Sequence, residues 1–406
     1  MIGGGPAGMM AAGRAAELGA RVALVEKNGS LGRKLLLTGN GRCNLTQAEL
    51  DLPSLIEKYG KSGKFLFPAL HLFGPGQVME FFEARGLKLK VEKGGKVFPK
   101  SDNARDVLAV LLKYLSAGGV KIISECEVFR VQSISGRTDS LITGQGKISA
   151  QKFVLATGGK SYPQTGSDGA GFRFLKELGH SITKLRPALV PMRLKEKWVA
   201  GLEGISPENV ELSAWQGNKR VAGSSGGLMF TRLGLSGPAA LDLSGRVGEL
   251  LEKGGVRLEI DFLPGVSAGE LEKKMLSIFR AGQNKLVKNV IGCFVPSRLA
   301  ELVLGLAGID GDKRVNIVSR EEREELVELL KKFGVTVSGL MGFERAMVTS
   351  GGVSLKEIDP NTMNSRLVEN LFLAGEIIDL NGPSGGYNLQ LCWSTGYMAG
   401  NSAAAQ

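Results

Sequence analysis

The first eight residues constrain this chain more than any other stretch. Gly3-Gly4-Gly5-Pro6-Ala7-Gly8 places glycines at 3, 5 and 8, the G-x-G-x-x-G spacing of a dinucleotide-binding turn. In such a turn the first glycine permits a sharp bend after a strand. The second lets the backbone approach a pyrophosphate, and the third lets the next helix lie close to the sheet. Met9 to Leu18 is rich in Ala, Met and Leu and reads as that helix, with Gly19 as its stop. Arg21 to Glu26 then reads as a buried parallel strand ending in an acid, 18 residues after Gly8. A carboxylate there accepts from ribose hydroxyls and disfavours a 2′-phosphate, which points to FAD or NAD over NADP. A glycine-rich turn alone is a weak sign; the strand-helix-strand-acid order strengthens it. Only Met1 and Ile2 precede Gly3, where a strand of about 5–6 residues is usual. Two readings stay open: native residues are missing before Met1, or the first strand is a stub whose central place weakens cofactor binding.

At 406 residues the chain is expected to form two or three domains. Hydrophobic content of 43% with 58 glycines suits a soluble α/β protein with many tight turns. No apolar run approaches the roughly 18 residues of a membrane span. The N-terminal apolar stretch carries Arg14 and Glu17, unlike a signal peptide, so a cytoplasmic location without membrane partners is expected. Cysteines 43, 126, 293 and 392 are widely spaced, which argues for a reducing compartment and no metal site. The two histidines, His71 and His180, make histidine-based metal or triad chemistry improbable, and neither lies in a covalent flavin attachment motif. The net charge of +11 raises the odds of a polyanionic partner. Cations cluster at Lys88, Lys90, Lys93, Lys96 and Lys100, and at Lys273, Lys274, Arg280, Lys285, Lys288 and Arg298. Each cluster alone reads first as a solvated surface; together they make nucleic acid a live partner.

Taken in order, Asn28 to Lys34 is a glycine-bearing loop with adjacent cations, leading into Thr38-Gly39-Asn40-Gly41-Arg42-Cys43-Asn44. That second stretch is either a tight turn or a loop whose amides and Arg42 meet flavin phosphates or ring carbonyls. Residues 50–120 read as a helical insertion with a basic hairpin from Leu87 to Phe98 and a helix from Asp106 to Ser116. Val120–Ile123, Glu127–Ile134 and Leu141–Ile142 read as a small meander. Lys152 to Leu155 is a hydrophobic strand running into Ala156-Thr157-Gly158-Gly159, which would bring the chain back to the cofactor. Short alternating strands from 190 to 262 suggest an antiparallel sheet or barrel. Ser236-Gly237-Pro238 has the composition of a helix start, open between a plain cap and an anion site. Residues 267–330 read as a helical subdomain. From Glu344 the chain rejoins the first fold: Leu371 to Gly375-Glu376 is a last buried strand with a glycine-acid end. Gly386-Tyr387-Asn388-Leu389 opens a final helix whose N-terminal amides, aimed at the flavin N1–O2 edge, would stabilise a reduced anionic ring.

These blocks together resemble the YhiN/BaiN-like, aminoacetone-oxidase-like flavoproteins. The similarity rests on GGGPAG at 3–8, GRKLLLTGNGRCNLT at 32–46, VLATGG at 154–159 and GLSGPAAL at 234–241, and continues with VTSGGVSL at 348–355, TMNSRLVENLFLAGEIID at 362–379 and GGYNLQLCWSTGYMAG at 385–400. It implies a discontinuous Rossmann-type FAD domain, residues 1–189 and 344–406. A β-rich, barrel-like domain (190–266 and 331–343) with the 267–330 helical subdomain would interrupt it. It implies non-covalent FAD held by Gly3, Gly5, Pro6, Ala7, Gly8, Glu26, Lys27, Arg33, Lys34, Gly41, Arg42, Cys43, Ala156, Thr157, Gly158, Gly375, Glu376, Gly386, Tyr387, Asn388 and Leu389. Where the family usually shows histidine after the Phe-Thr pair, this chain has Arg232, which stays protonated and speaks against proton transfer there.

The resemblance implies hydride delivery from flavin N5 to an activated C=C, with a uridine of ribosomal RNA as the first expectation. Reduction or oxidation of a small molecule, an enone or an amine, is the alternative, and a scaffold that merely retains FAD a third. No second G-x-G-x-x-G follows a strand, so NAD(P)H would bind transiently at the flavin face. The expected proton donor is Cys43 or Tyr387; Cys43 equally suits a small residue packed beneath the ring. If it is the donor, replacing it with Ala removes turnover and leaves FAD bound.

Overall fold

A computed structural model describes residues 1–405, which divide into two compact units, one of Met1–Arg186 with Met347 onward and one of Pro187–Ala346. These limits lie a few residues from the boundaries expected at 189/190 and 343/344.

The first unit is built on a parallel sheet. Strand Ala23–Val25 pairs with Lys121–Ile123 on one side, and Phe153–Leu155 pairs with Leu371–Leu373 on the other. Between them runs Met1–Gly3: Ile2 bridges both Val25 and Leu155 in parallel. Its amide donates to Val154 O at 2.9 Å, and Gly3 N donates to Val25 O at 2.9 Å. The stub is therefore the central strand, and its ladder is complete on both edges. Lys121–Ile123, expected in the meander, belongs to this sheet because Ala23–Val25 needs a second neighbour. The meander consists instead of Val128–Ile134, Arg137–Thr143 and Gly146–Ser149.

Alternate strand residues face opposite ways, as strand geometry demands. Val25, Phe153, Leu155, Leu371 and Leu373 pack with Phe172 and Leu175 of the helix Ala170–Glu177 and with Val128, Val131 and Leu141 of the meander. On the other face, Val154, Phe372 and Ala374 meet Ala7 and Ala11 of the first helix, Pro6–Glu17, and Met398 and Ala399 of the last, Tyr387–Ala404. Those two helices cross closely because Gly396 and Gly400 are spaced one turn apart. A Cβ on either would sit 2.4 Å from the carbonyl oxygen of Ala7 or Ala11. The Leu87–Phe98 hairpin forms as expected, from Leu89–Val91 and Lys96–Pro99, and pairs onward with Thr46–Gln47.

The second unit carries an antiparallel seven-stranded sheet. Its order is 219–226, 210–216, 256–261, 333–340, 192–194, 234–236, 229–231. It is an open sheet and not the expected barrel-like closure, because the two outer strands pair with one neighbour each. The 267–330 helices share one continuous apolar core with it: Leu271, Met275 and Leu326 pack with Ile260, Phe333 and Val335. Helix Pro238–Leu251 starts at Gly237, φ +88°, with no side-chain cap. Ser236, expected to cap it, is spent in the strand Gly234–Ser236.

Candidate cofactor site

In an open parallel α/β sheet, ligands bind beyond the carboxyl ends of the strands, where the loops diverge. Four predicted segments emerge there: Gly3-Gly4-Gly5 after Ile2, Glu26 after Val25, Ala156-Thr157-Gly158 after Leu155, and Gly375-Glu376 after Leu373. All belong to the first unit.

The glycine turn divides its labour as the spacing requires. Gly3 has φ +101°, and a Cβ there would lie 2.6 Å from Ala156 O. A Cβ on Gly8 would lie 1.9 Å from Gly3 O, so helix and turn touch through bare backbone. Gly5 differs: a Cβ there would meet nothing within 4 Å. Gly5 is the N-cap of the first helix, Pro6 is its first residue, and no side chain caps it. The first amides, Ala7 and Gly8 among them, carry the helix's partial positive charge outward without a protein acceptor.

Glu26 is locked by three donors. Its Oε2 accepts from Gly4 N at 2.7 Å, and its Oε1 from Asn28 N at 2.9 Å and Asn28 Nδ2 at 2.6 Å. Asn28 in turn accepts from Arg33 Nη1 at 2.7 Å. Lys27 pairs with Asp168 at 2.7 Å, and Lys34 with Glu376 at 2.7 Å. Glu376 Oε1 also accepts from Thr349 N at 2.6 Å. Thr349 Oγ1 accepts from Lys160 N and Ser161 N at 2.7 and 3.1 Å, stitching the 158–161 loop to the C-terminal segment. Gly375 donates to Thr395 Oγ1 at 2.9 Å.

Three buried polar atoms in or beside the predicted segments make no hydrogen bond among the described residues: Thr157 Oγ1, Ser167 Oγ and Asn44 Oδ1. All three are sealed by protein, and Thr157 Oγ1 faces the helix Ala170–Glu177, where a Gly171 Cβ would lie 2.0 Å from it. The Gly5 cradle and the uncapped helix fit the pyrophosphate of a dinucleotide. Ser167 and Asn44 escaped the sequence reading, although Asn44 lies within the GRCNLT block. Ser167 has no local signal; it arrives because its loop folds back until its Oγ is 2.9 Å from where a Gly158 Cβ would be.

Other predicted residues are engaged with protein partners. Arg42 ion-pairs with Glu92, its Nε donates to Asp102 at 2.7 Å, and its guanidinium lies 4.0 Å from the Phe98 ring centroid. Gly41, at φ +84°, turns the chain into that contact. Arg42 thus clamps the 38–44 loop onto the hairpin. Asn388 is engaged with its own loop: its Oδ1 accepts from Gly382 N at 2.9 Å, and its Nδ2 donates to Gly382 O and Pro383 O. Gly386, at φ +104°, caps the last helix against Thr46, whose carbonyl oxygen would be 2.4 Å from a Cβ there, and Leu389 is buried behind it.

Both proton-donor candidates are buried, Cys43 wholly and Tyr387 with 6% exposed, and they differ in their polar partners. Cys43 is wholly buried, and burial pushes its thiol up to about 12, against a weaker pull from Thr38. Such a thiol neither meets substrate nor gives up its proton near neutrality, so the packing role expected as its alternative is the one its surroundings suit. Tyr387 Oη accepts from Gln47 Nε2 at 3.3 Å, which leaves its own proton to donate. Its backbone carbonyl accepts from Tyr59 Oη at 2.8 Å.

Among the described residues no group of His, Cys, Asp and Glu could hold a metal, and no helix is long and apolar enough to cross a membrane.

Residues 1–402 match the model of the HI0933-like protein Rossmann domain. The chain is 32% identical over 407 aligned positions, covering 100% of it and 98% of the relative, to a 3-dehydro-bile acid delta(4,6)-reductase of Clostridium scindens. It is 29% identical to the ribosomal RNA dihydrouridine synthase of Escherichia coli, over 98% of this chain and 95% of that one. The Haemophilus influenzae protein of the same name is 28% identical over 100% and 98%. Among solved structures it is similar to a 3-ketosteroid delta1-dehydrogenase of Sterolibacterium denitrificans at TM-score 0.54 and 13% identity, covering 99% of this chain and 98% of that one. At 18% identity a flavocytochrome c3 fumarate reductase gives 0.53 over 99% and 77%, a likeness of fold.

Proposed function

Because the chain belongs to the HI0933-like Rossmann family and is an FAD-dependent oxidoreductase, we propose that it reduces an activated C=C in a uridine of ribosomal RNA, with NAD(P)H as electron source. Two full-length relatives named ribosomal RNA dihydrouridine synthase carry this reading. The cations of the 268–298 segment agree with it: Lys273, Lys274, Arg280 and Lys285 are exposed and take part in no ion pair among the described residues.

Bound flavin supplies a hydride, replenished by NAD(P)H that binds transiently. The chain's own contributions are holding and proton transfer. The first-helix amides and the Gly5 turn receive the pyrophosphate. Glu26, already oriented by Gly4 and Asn28, accepts from ribose hydroxyls. Lys34 and Glu376 hold the last strand's end in place. Tyr387 Oη delivers the proton that completes addition across the double bond, and Gln47 holds that oxygen in position.

The test uses FAD-loaded protein, NADH or NADPH, and an unmodified ribosomal RNA transcript, with mass analysis of the digested nucleosides. A uridine heavier by two hydrogens is expected. An unchanged transcript refutes the substrate. The 32% identity to the bile-acid reductase favours one second reading, a small conjugated enone; reduction of a steroid enone with no change in the RNA would establish it instead.

A further inference from the structure

Outside the cofactor site, the segment 58–71 presents cations and aromatic rings to solvent in a regular array. Gly60–Leu66 is a 3₁₀ helix and Phe67–Leu72 an α-helix that follows directly. A 3₁₀ helix has three residues per turn and rises about 2.0 Å per residue, so positions three apart stand in line about 6 Å from one another. Lys61 and Lys64 have this spacing within the 3₁₀ helix, Lys58 precedes it and Phe67 begins the α-helix that follows, and all four are exposed. Their neighbours Leu66, Ala69 and Leu70 are buried, which fixes the face that is left outside. None of the three lysines takes part in an ion pair among the described residues.

Phe67 is 51% exposed and stacks on exposed His71, one α-helical turn later, with centroids 6.1 Å apart and planes 4° apart. The core does not require this ring outside. Two parallel rings beside a file of unpaired ammonium groups match the requirements of single-stranded nucleic acid: π-faces for bases and point charges for phosphates. A lipid surface would call for an exposed apolar helix face, and here Leu66, Ala69 and Leu70 are turned into the core. The array is also tied to the chemistry. Tyr59, immediately before the 3₁₀ helix, donates to the Tyr387 carbonyl and meets the Tyr387 ring edge-on at 6.1 Å.

We propose that Lys58, Lys61, Lys64, Phe67 and His71 form a docking surface for an unpaired stretch of the RNA substrate. Phe67 and His71 stack on a base, and the lysines follow the phosphates. This rests on the RNA reading above, and the experiment separates the two.

Binding of a short fluorescein-labelled oligouridine to the FAD-loaded full-length protein is followed by anisotropy at several salt concentrations. Phe67→Ala is expected to weaken binding about tenfold. The triple variant Lys58→Ala, Lys61→Ala, Lys64→Ala is expected to weaken it and lower the salt-dependence slope by about 2, at roughly 0.7 for each phosphate left without its lysine. Retained flavin absorbance shows that each variant is folded. If wild type binds and both variants bind equally well, the docking surface is refuted while the RNA substrate stands. If wild type does not bind, both fall. If the variants instead lose only affinity for anionic lipid vesicles and keep RNA, the surface is assigned to a membrane and the proposal is overturned.

Discussion

Gly5→Ala separates the cofactor cradle from the scaffold in a single substitution. Gly5 has φ −79° and ψ −178°, extended backbone that alanine adopts freely, and its new methyl would touch no protein atom within 4 Å. In the apoprotein the change should therefore stabilise, by about 0.4–1 kcal/mol, because alanine restricts the unfolded chain more than glycine does. With FAD the sign reverses. The methyl stands where the backbone must come closest to the pyrophosphate, and overpacking of that kind costs about 1–3 kcal/mol, a loss of affinity between about 5- and 150-fold. Gly8→Ala is the contrast: its methyl would lie 1.9 Å from Gly3 O, so the apoprotein itself should lose stability. Thermal unfolding of both apoproteins and titration with FAD by quenching of flavin fluorescence read the two effects separately. If Gly5→Ala keeps wild-type FAD affinity, or if its apoprotein melts as low as that of Gly8→Ala, the assignment of this turn to the pyrophosphate is wrong.

Tyr387→Phe should keep FAD bound and lower turnover by about 10²–10⁴-fold, the usual value of a positioned general acid. Cys43→Ala should leave turnover intact and cost about 1 kcal/mol of stability, because the buried thiol then no longer fills its place in the core; steady-state rates with either nicotinamide distinguish the pair. His180 is buried between Glu357 Oε2 at 3.1 Å and Ser365 Oγ at 2.9 Å. Burial lowers its pKa, against an upward pull from Glu357. The unfolded chain therefore takes up this proton first, and stability should fall as pH drops below about 6.5. Melting temperatures from pH 8 to 5 should decline less steeply for His180→Gln; parallel curves would exclude this residue as the source. Gly396→Ala would push the last helix from Ala7, whose carbonyl oxygen would be 2.4 Å away. It should lower both melting temperature and FAD affinity, and a drop in only one would show that helix packing does not set the turn.

Much of the cofactor fold was legible in the chain because its signals are local. Gly3, Gly5 and Gly8 announce a turn by spacing alone, and Arg21 to Glu26 announces a strand by an apolar run with a charged end. The Leu371–Glu376 return reads the same way. Hydrogen-bond partners chosen only once the chain has folded leave no such trace. Arg42 looked like an anion-binding residue from its glycine-rich setting, yet Glu92 and Asp102 sit opposite it once the hairpin folds over. Asn388 looked free and is used up by its own loop.

Local spacing by itself determined that this chain makes a dinucleotide turn, because steric limits on backbone and Cβ act between near neighbours. Only the tertiary structure decided which side chains remain available around that turn. Cys43 loses its acidity to burial, and Tyr387 Oη is met by the Gln47 amide. Thr157, Ser167 and Asn44 keep polar atoms without hydrogen bonds inside the protein. Burial and pairing are properties of position in space, and they arise from contacts between segments far apart along the chain.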